Sequence, residues 1–225
     1  MLKSFLIIVN LQIFIYASQI ILVIADDTST HKAKLQLFEN GKKIANTIDA
    51  NIGKNGLGLG ISDIEFSGIK IDINKREGDK KAPLGIFKLT SVFGYKKEVK
   101  TKMPYIYASK ELICVDDSNS KYYNKIIQMP LSKPKSFETM RRDDNQYKLG
   151  VVVAHNEVQI KNGGSCIFIH VQKGIDAPTA GCTSMKYEDM KFIVEWLDIS
   201  KNPILIQITK EHIDTIKNRY PNLEL

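Results

Sequence analysis

The chain has 225 residues, 43% hydrophobic and 25% charged, with a formal net charge of +7. That length and balance exclude a disordered polymer and fit one globular domain with a sizeable core. The basic excess suits an anionic membrane or cell-wall polymer, but no nucleic-acid motif accompanies it, so nucleic acid is not an expected partner.

The first 25 residues stand apart. Lys3 is their only charge, and apolar runs extend from Phe5 to Val9, Leu11 to Tyr16 and Ile20 to Ile24. A short basic start followed by an apolar core describes a secretory signal, with cleavage after Ala25 or Ala17. The competing reading is a retained single-span anchor, since about 20 apolar residues cross a bilayer. Either one places residues 26–225 outside the cytoplasm, in the periplasm or an equivalent space. The membrane is then a partner only through an uncleaved leader.

Lys34–Glu39 and Lys42–Ala45 flank Asn40-Gly41, a strong hairpin signal. Gly53, Gly56, Gly58 and Gly60 punctuate a connection that lacks the Lys-Ser/Thr of a phosphate-binding loop. Strands are expected at 83–90 and 112–115, the latter closed by Asp116-Asp117. Residues 119–147 form a polar excursion with Pro130 and Pro134, a length usual for lids and binding loops. Strands follow at 149–154 and 166–171. A helix is expected over 186–198, on the stripe Met190, Ile193, Val194, Leu197. A closing strand at 204–208 and a short helix over 210–219 complete a strand-dominated domain.

Three cysteines in an exported chain raise the question of which stays free. Cys114 and Cys166 sit in apolar, strand-like surroundings, whereas Cys182 sits in the turn Pro178-Thr179-Ala180-Gly181-Cys182. A Cys114–Cys166 disulfide with a free Cys182 is expected; three free thiols are the alternative, because sequence does not give the bridging geometry. A thiol has a pKa of about 8.5, and a neighbouring His can take its proton. His170 is the candidate base. The amides around Gly181, Cys182 and Thr183 are candidate oxyanion donors, with a helix N-terminus just beyond to favour the anion.

The pieces Gly164–His170 and Pro178–Met185 together resemble the YkuD-type L,D-transpeptidase catalytic domain, in the branch reading Ile-Phe-x-His, a short loop, then Pro-Thr-Ala-Gly-Cys. Residues 52–58, 76–87, Cys114–Asp117 and Tyr122–Asn124 agree, so the likeness spans about 50–208. It implies a β-sandwich or barrel catalytic domain, mainly β with short helices (α+β), filling 26–225. It also implies a Cys182 acyl-enzyme formed on peptidoglycan stem peptides, with His170 as general base and then acid, and with no metal or cofactor. The sequence departs from the wider family at Ala180 and Ser184, where a second His and an Arg are common. His155 and Asn156, at a strand end, and Arg142, on the excursion, are candidate substrate contacts. A wall-binding domain without turnover and a papain-like amidase are the alternatives; the latter usually places its Cys before its His.

Overall fold

The structure is a computed structural model and describes residues 17–69 and 71–225. In chain order its strands begin with β1 Gln19–Ala25, β2 Lys32–Glu39, β3 Lys42–Lys43, β4 Ile48–Asn51 and β5 Leu57–Leu59. Then come β6 Ala82–Gly94, β7 Tyr105–Tyr107, β8 Leu112–Cys114, β9 Ile126–Gln128 and β10 Glu138–Thr139. The set ends with β11 Leu149–Val153, β12 Phe168–Val171, β13 Thr183–Met185 and β14 Ile204–Thr209. The helices are α1 Tyr187–Trp196 and α2 Ile213–Arg219, the second entered through a 3-10 turn at Lys210–His212.

The main sheet closes on itself. Its order runs β1, β14, β6, β11, β12, β13, β4, β2, and β2 pairs back onto β1, which makes an eight-stranded barrel. Closure leaves no free edge in this ring. Alternation along each strand then decides which side chains fill it. Ile21, Val23, Leu35, Leu37, Val92, Val151 and Ile169 point inward to one core, with Met190, Ile193, Val194 and Leu197 of the α1 stripe packed against it. Ile20 and Leu22 point the other way, under Ile206, Ile208, Ile216 and Leu223.

β1 is therefore buried on both faces, and a strand of that kind reads as a continuous apolar run. This is why it resembles the core of a secretory leader. Gln19–Ala25 pairs in parallel with β14 and antiparallel with β2. A leader ending at Ala25 would remove a barrel strand, whereas one ending at Ala17 leaves the barrel whole. The remainder of the expected leader, residues 1–16, lies outside the described residues. Among the described residues no helix is long and apolar enough to cross a membrane.

The hairpin signal gives β2 and β3, turning at Asn40 and Gly41 with φ of 50° and 83°. The expected strands 149–154 and 166–171 pair directly, Val151 against Ile169. The excursion at 119–147 carries β9 and β10, which flank β8 in a separate three-stranded sheet. This small sheet forms a cap: its Leu112, Cys114 and Met140 pack on Phe93 and Phe168 of the barrel's outer face.

Candidate active site

Cys182 lies where β12 and β13 run side by side in parallel, with Ile169 opposite Thr183 and His170 opposite Ser184. A parallel pair needs a crossover, and the Pro178–Gly181 turn delivers Cys182 to the head of β13. Gly181 has φ of +149°, and a Cβ there would lie 3.0 Å from the Lys81 carbonyl oxygen, so the turn requires glycine. The turn is locked from within: Thr179 Oγ1 donates to the Cys182 carbonyl (2.6 Å) and accepts from the Gly181 amide (3.1 Å).

The following segment differs from the expectation. Thr183–Met185 is a strand, and α1 begins only at Tyr187, so no helix N-terminus follows directly on the thiol. The support of the sulfur comes instead from β12. The Phe168 amide donates to Cys182 Sγ at 3.3 Å, and Sγ faces the Cys166 carbonyl at 3.5 Å. Thr183 turns its hydroxyl into the barrel, donating to Gln207 Oε1 at 2.7 Å. With the Gly181 amide held by Thr179, the Cys182 amide is the turn's remaining candidate oxyanion donor.

His170 is buried on β12, two residues beyond Phe168 and on the same strand face. Its Nδ1 lies 2.9 Å from the Val171 carbonyl. A carbonyl can only accept, so Nδ1 carries the proton and Nε2 keeps its lone pair. Burial lowers the His170 pKa to about 4 and raises the Cys182 thiol to about 12. Both groups consequently rest neutral, as thiol and imidazole.

Cys114 and Cys166 are bridged, with Cα atoms 6.0 Å apart, and Cys182 is the free cysteine. The bridge pins β8 of the cap to the residue whose carbonyl faces Sγ. Cys166 itself has a left-handed backbone, φ 55°, and its amide donates to Asn124 Oδ1 at 2.9 Å.

Arg142 reaches the site from the cap. Its guanidinium stacks 5.2 Å over the Tyr147 ring and is paired with Asp144, with Nη2–Oδ2 at 2.6 Å. Its positive charge is felt at both His170 and Cys182. The Asp144 hydrogen bonds hold the Arg142 pKa well above, and the Asp144 pKa well below, their ordinary values.

His155 and Asn156 stand apart from this group. Asn156 Nδ2 donates to the carbonyls of Ile160 (2.9 Å) and Gly164 (3.0 Å), and its Oδ1 accepts from the Ile160 amide (2.8 Å), bracing the 156–164 turn. His155 packs edge-on to Phe87 at 5.8 Å, with neither ring nitrogen hydrogen-bonded among the described residues. Burial, with the nearby Lys75 charge, lowers its pKa to about 3. Asp117 caps a turn, accepting from the amides of Asn119 and Lys135.

Three neighbours escape sequence reasoning. Lys75 is buried and paired with Asp79 (2.7 Å), its Cε 3.7 Å from a Cβ built on Gly181. Tyr147 is buried between Phe168 and His170, and its hydroxyl donates to Glu138 of β10. Glu138 is set by a sheet-level register, opposite Cys114, which no local pattern in the sequence reveals. Among the described residues no cluster of His, Cys, Asp and Glu fits a metal ion.

The YkuD family model, described as the L,D-transpeptidase catalytic domain, matches residues 21–206. Its span begins within β1, well before the likeness visible from residue 50. No curated protein matches the chain. Among solved structures, the helical cell shape determining protein Pgp2 from Campylobacter jejuni is similar at 15% identity and a TM-score of 0.41, over 84% of this chain and 47% of Pgp2. A point mutant of Pgp2 is similar at 15% identity and a TM-score of 0.40, over 85% and 48%. The chain spans about half the length of these structures.

Proposed function

The chain belongs to the YkuD family of L,D-transpeptidase catalytic domains, and on that premise we propose that it is an exported cysteine acyltransferase acting on peptidoglycan stem peptides. The observation that carries this reading is the placement of Cys182 Sγ against the amide of Phe168, two residues before and on the same strand as a His170 whose Nδ1–H is committed to Val171. That tautomer leaves Nε2 as the base.

In the proposed reaction Nε2 removes the thiol proton as sulfur attacks the carbonyl joining the third and fourth stem residues. The Cys182 amide steadies the developing oxyanion. The C–N bond then breaks, Nε2–H protonates the leaving D-Ala amine, and an acyl group stays on sulfur. An amine of a second stem peptide (crosslinking) or water (carboxypeptidase) takes the acyl group and gives its proton to Nε2; the C–S bond breaks and Nε2–H returns that proton to the Cys182 sulfur. Arg142 would exchange Asp144 for a substrate carboxylate. Gly181 holds the turn, Thr183 anchors β13, and His155 and Asn156 support the wall behind the site.

Export accords with the disulfide, because structural disulfides persist in oxidising compartments. The burial of Cys182 favours a second reading, a wall-binding domain that keeps the fold without turnover. One experiment separates the two. The protein starting at Ser18 is incubated with a stem tetrapeptide carrying a diamino acid, and D-Ala release and intact mass are followed. Wild type should gain the tripeptide acyl mass and Cys182→Ala should not. A wild type that neither acylates nor releases D-Ala would leave the binding reading. Adding an acceptor amine distinguishes crosslinking from hydrolysis.

A further inference from the structure

Tyr147 sits at the entrance to β11 and is buried, with its ring enclosed by three others. The ring centroids lie 5.6 Å from Phe93, 5.5 Å from Phe168 and 5.2 Å from His170, each contact edge-to-face. Its hydroxyl donates to Glu138 Oε2. Ring and hydroxyl are thus fixed independently, one by the barrel's outer face and one by the cap. A plain core aromatic would need only the first. A buried tyrosine hydroxyl needs a partner, and here that partner is a carboxylate of the cap.

Two contacts then hold His170: the Val171 carbonyl at Nδ1 and the Tyr147 ring at its side. The first sets the tautomer. The second limits rotation about the Cβ–ring bond, which the Val171 contact alone restrains only through one hydrogen bond. We propose that Tyr147 and Glu138 form a positioning pair for His170, holding its Nε2 toward Cys182. This inference rests on the reading of Cys182 and His170 as the acyl-transfer pair.

When Nε2 takes the thiol proton, a cation forms in a buried place beside the Tyr147 ring, which meets the imidazole edge-to-face. The Glu138 charge acts on the Cys182 thiol, favouring its protonated resting form. Arg142 lies over the same ring at 5.2 Å and works against the imidazolium, but Asp144 offsets its charge. Asp116 and Glu77 are the further carboxylates facing Glu138. Tyr147 and Glu138 exchange no proton with the substrate; the proton travels from sulfur to Nε2 and on to the leaving amine.

The test compares Tyr147→Phe, Tyr147→Leu and Glu138→Gln, using D-Ala release from the stem tetrapeptide and the 15N signals of the His170 ring. Tyr147→Phe and Glu138→Gln should lower kcat roughly tenfold and Tyr147→Leu roughly a hundredfold, with KM nearly unchanged, as expected for a misplaced base. The ring signals should pass from one tautomer in wild type to a mixture in Tyr147→Leu. If Tyr147→Leu fails to fold, the two variants that keep the aromatic ring carry the test. Wild-type kcat with an unchanged His170 tautomer in folded variants would overturn the proposal. If wild type releases no D-Ala, the tautomer readout still decides the positioning claim, while the enzymatic reading fails separately.

Discussion

His155 and His170 are both buried imidazoles, yet only one has a committed nitrogen. His170 gives Nδ1–H to Val171, whereas neither nitrogen of His155 has a partner among the described residues. This predicts a specific acid sensitivity. The folded pKa of His155 is lowered to about 3, so the unfolded chain binds a proton first. Its stabilising share is fully present above the ordinary value near 6.5 and is lost as pH falls from there toward 3. His155→Phe should flatten urea midpoints over that window and change stability at pH 7 by less than about 1.5 kcal/mol, since an apolar ring replaces unpaired polar atoms. An unaltered pH slope in the variant would remove His155 from the account. Cys182 yields a second expectation. With its thiol raised to about 12, iodoacetamide should label it slowly at pH 8 and ever faster up to pH 10 without a plateau, unlike the same thiol in urea. Cys182 and His170 stand out in the sequence because two rare residue types fall close together, one in a Gly-containing turn and one on the strand before it. Lys75, Glu138 and Tyr147 do not, since their importance arises from contacts between segments far apart in the chain.

The cap shows how a segment without periodicity can still be ordered. β9 and β10 are only three and two residues long, too short for an alternation pattern to register. What orders them is pairing with β8 and the bridge from Cys114 to Cys166, which are 52 residues apart. Closing a loop of that length stabilises by up to about 4 kcal/mol on the chain-entropy account. Replacing both cysteines by serine should therefore lower the urea midpoint substantially. It should also speed iodoacetamide labelling of Cys182, because the cap is then held over Phe168 and Cys182 by packing and hydrogen bonds, without a covalent tie. A variant with wild-type labelling would mean that the bridge does not govern access. The helix at Tyr187 was readable from its stripe, and the Asn40-Gly41 hairpin from its turn. β13 was not, because three residues between a turn and a helix carry no periodicity of their own.

The barrel as a unit bears on how the N-terminal apolar run is read. β1 is apolar on successive residues because both its faces are covered, and composition alone does not separate that from an export signal. The geometry makes a sharp prediction about the mature chain. A protein starting at Ser18 should fold and melt cooperatively. One starting at Asp26 should not, having lost the strand between β2 and β14. Thermal melts of the two truncations followed by circular dichroism decide it; a cooperatively folded protein from Asp26 would refute the requirement for β1.

The pairing of β1 with β14 also sets a timetable. Ile20 lies opposite Ile204, a separation of 204 − 20 = 184 residues. At translation rates of roughly 5–20 residues per second, the first strand waits roughly 10–40 s for its second neighbour. During that wait β2 can pair with one edge, but the other edge, with Ile20 and Leu22 uncovered, is open to any strand that passes. The chain cannot seal its barrel until almost all of it has been made, so newly made protein should depend on a holding chaperone that binds the N-terminal strand.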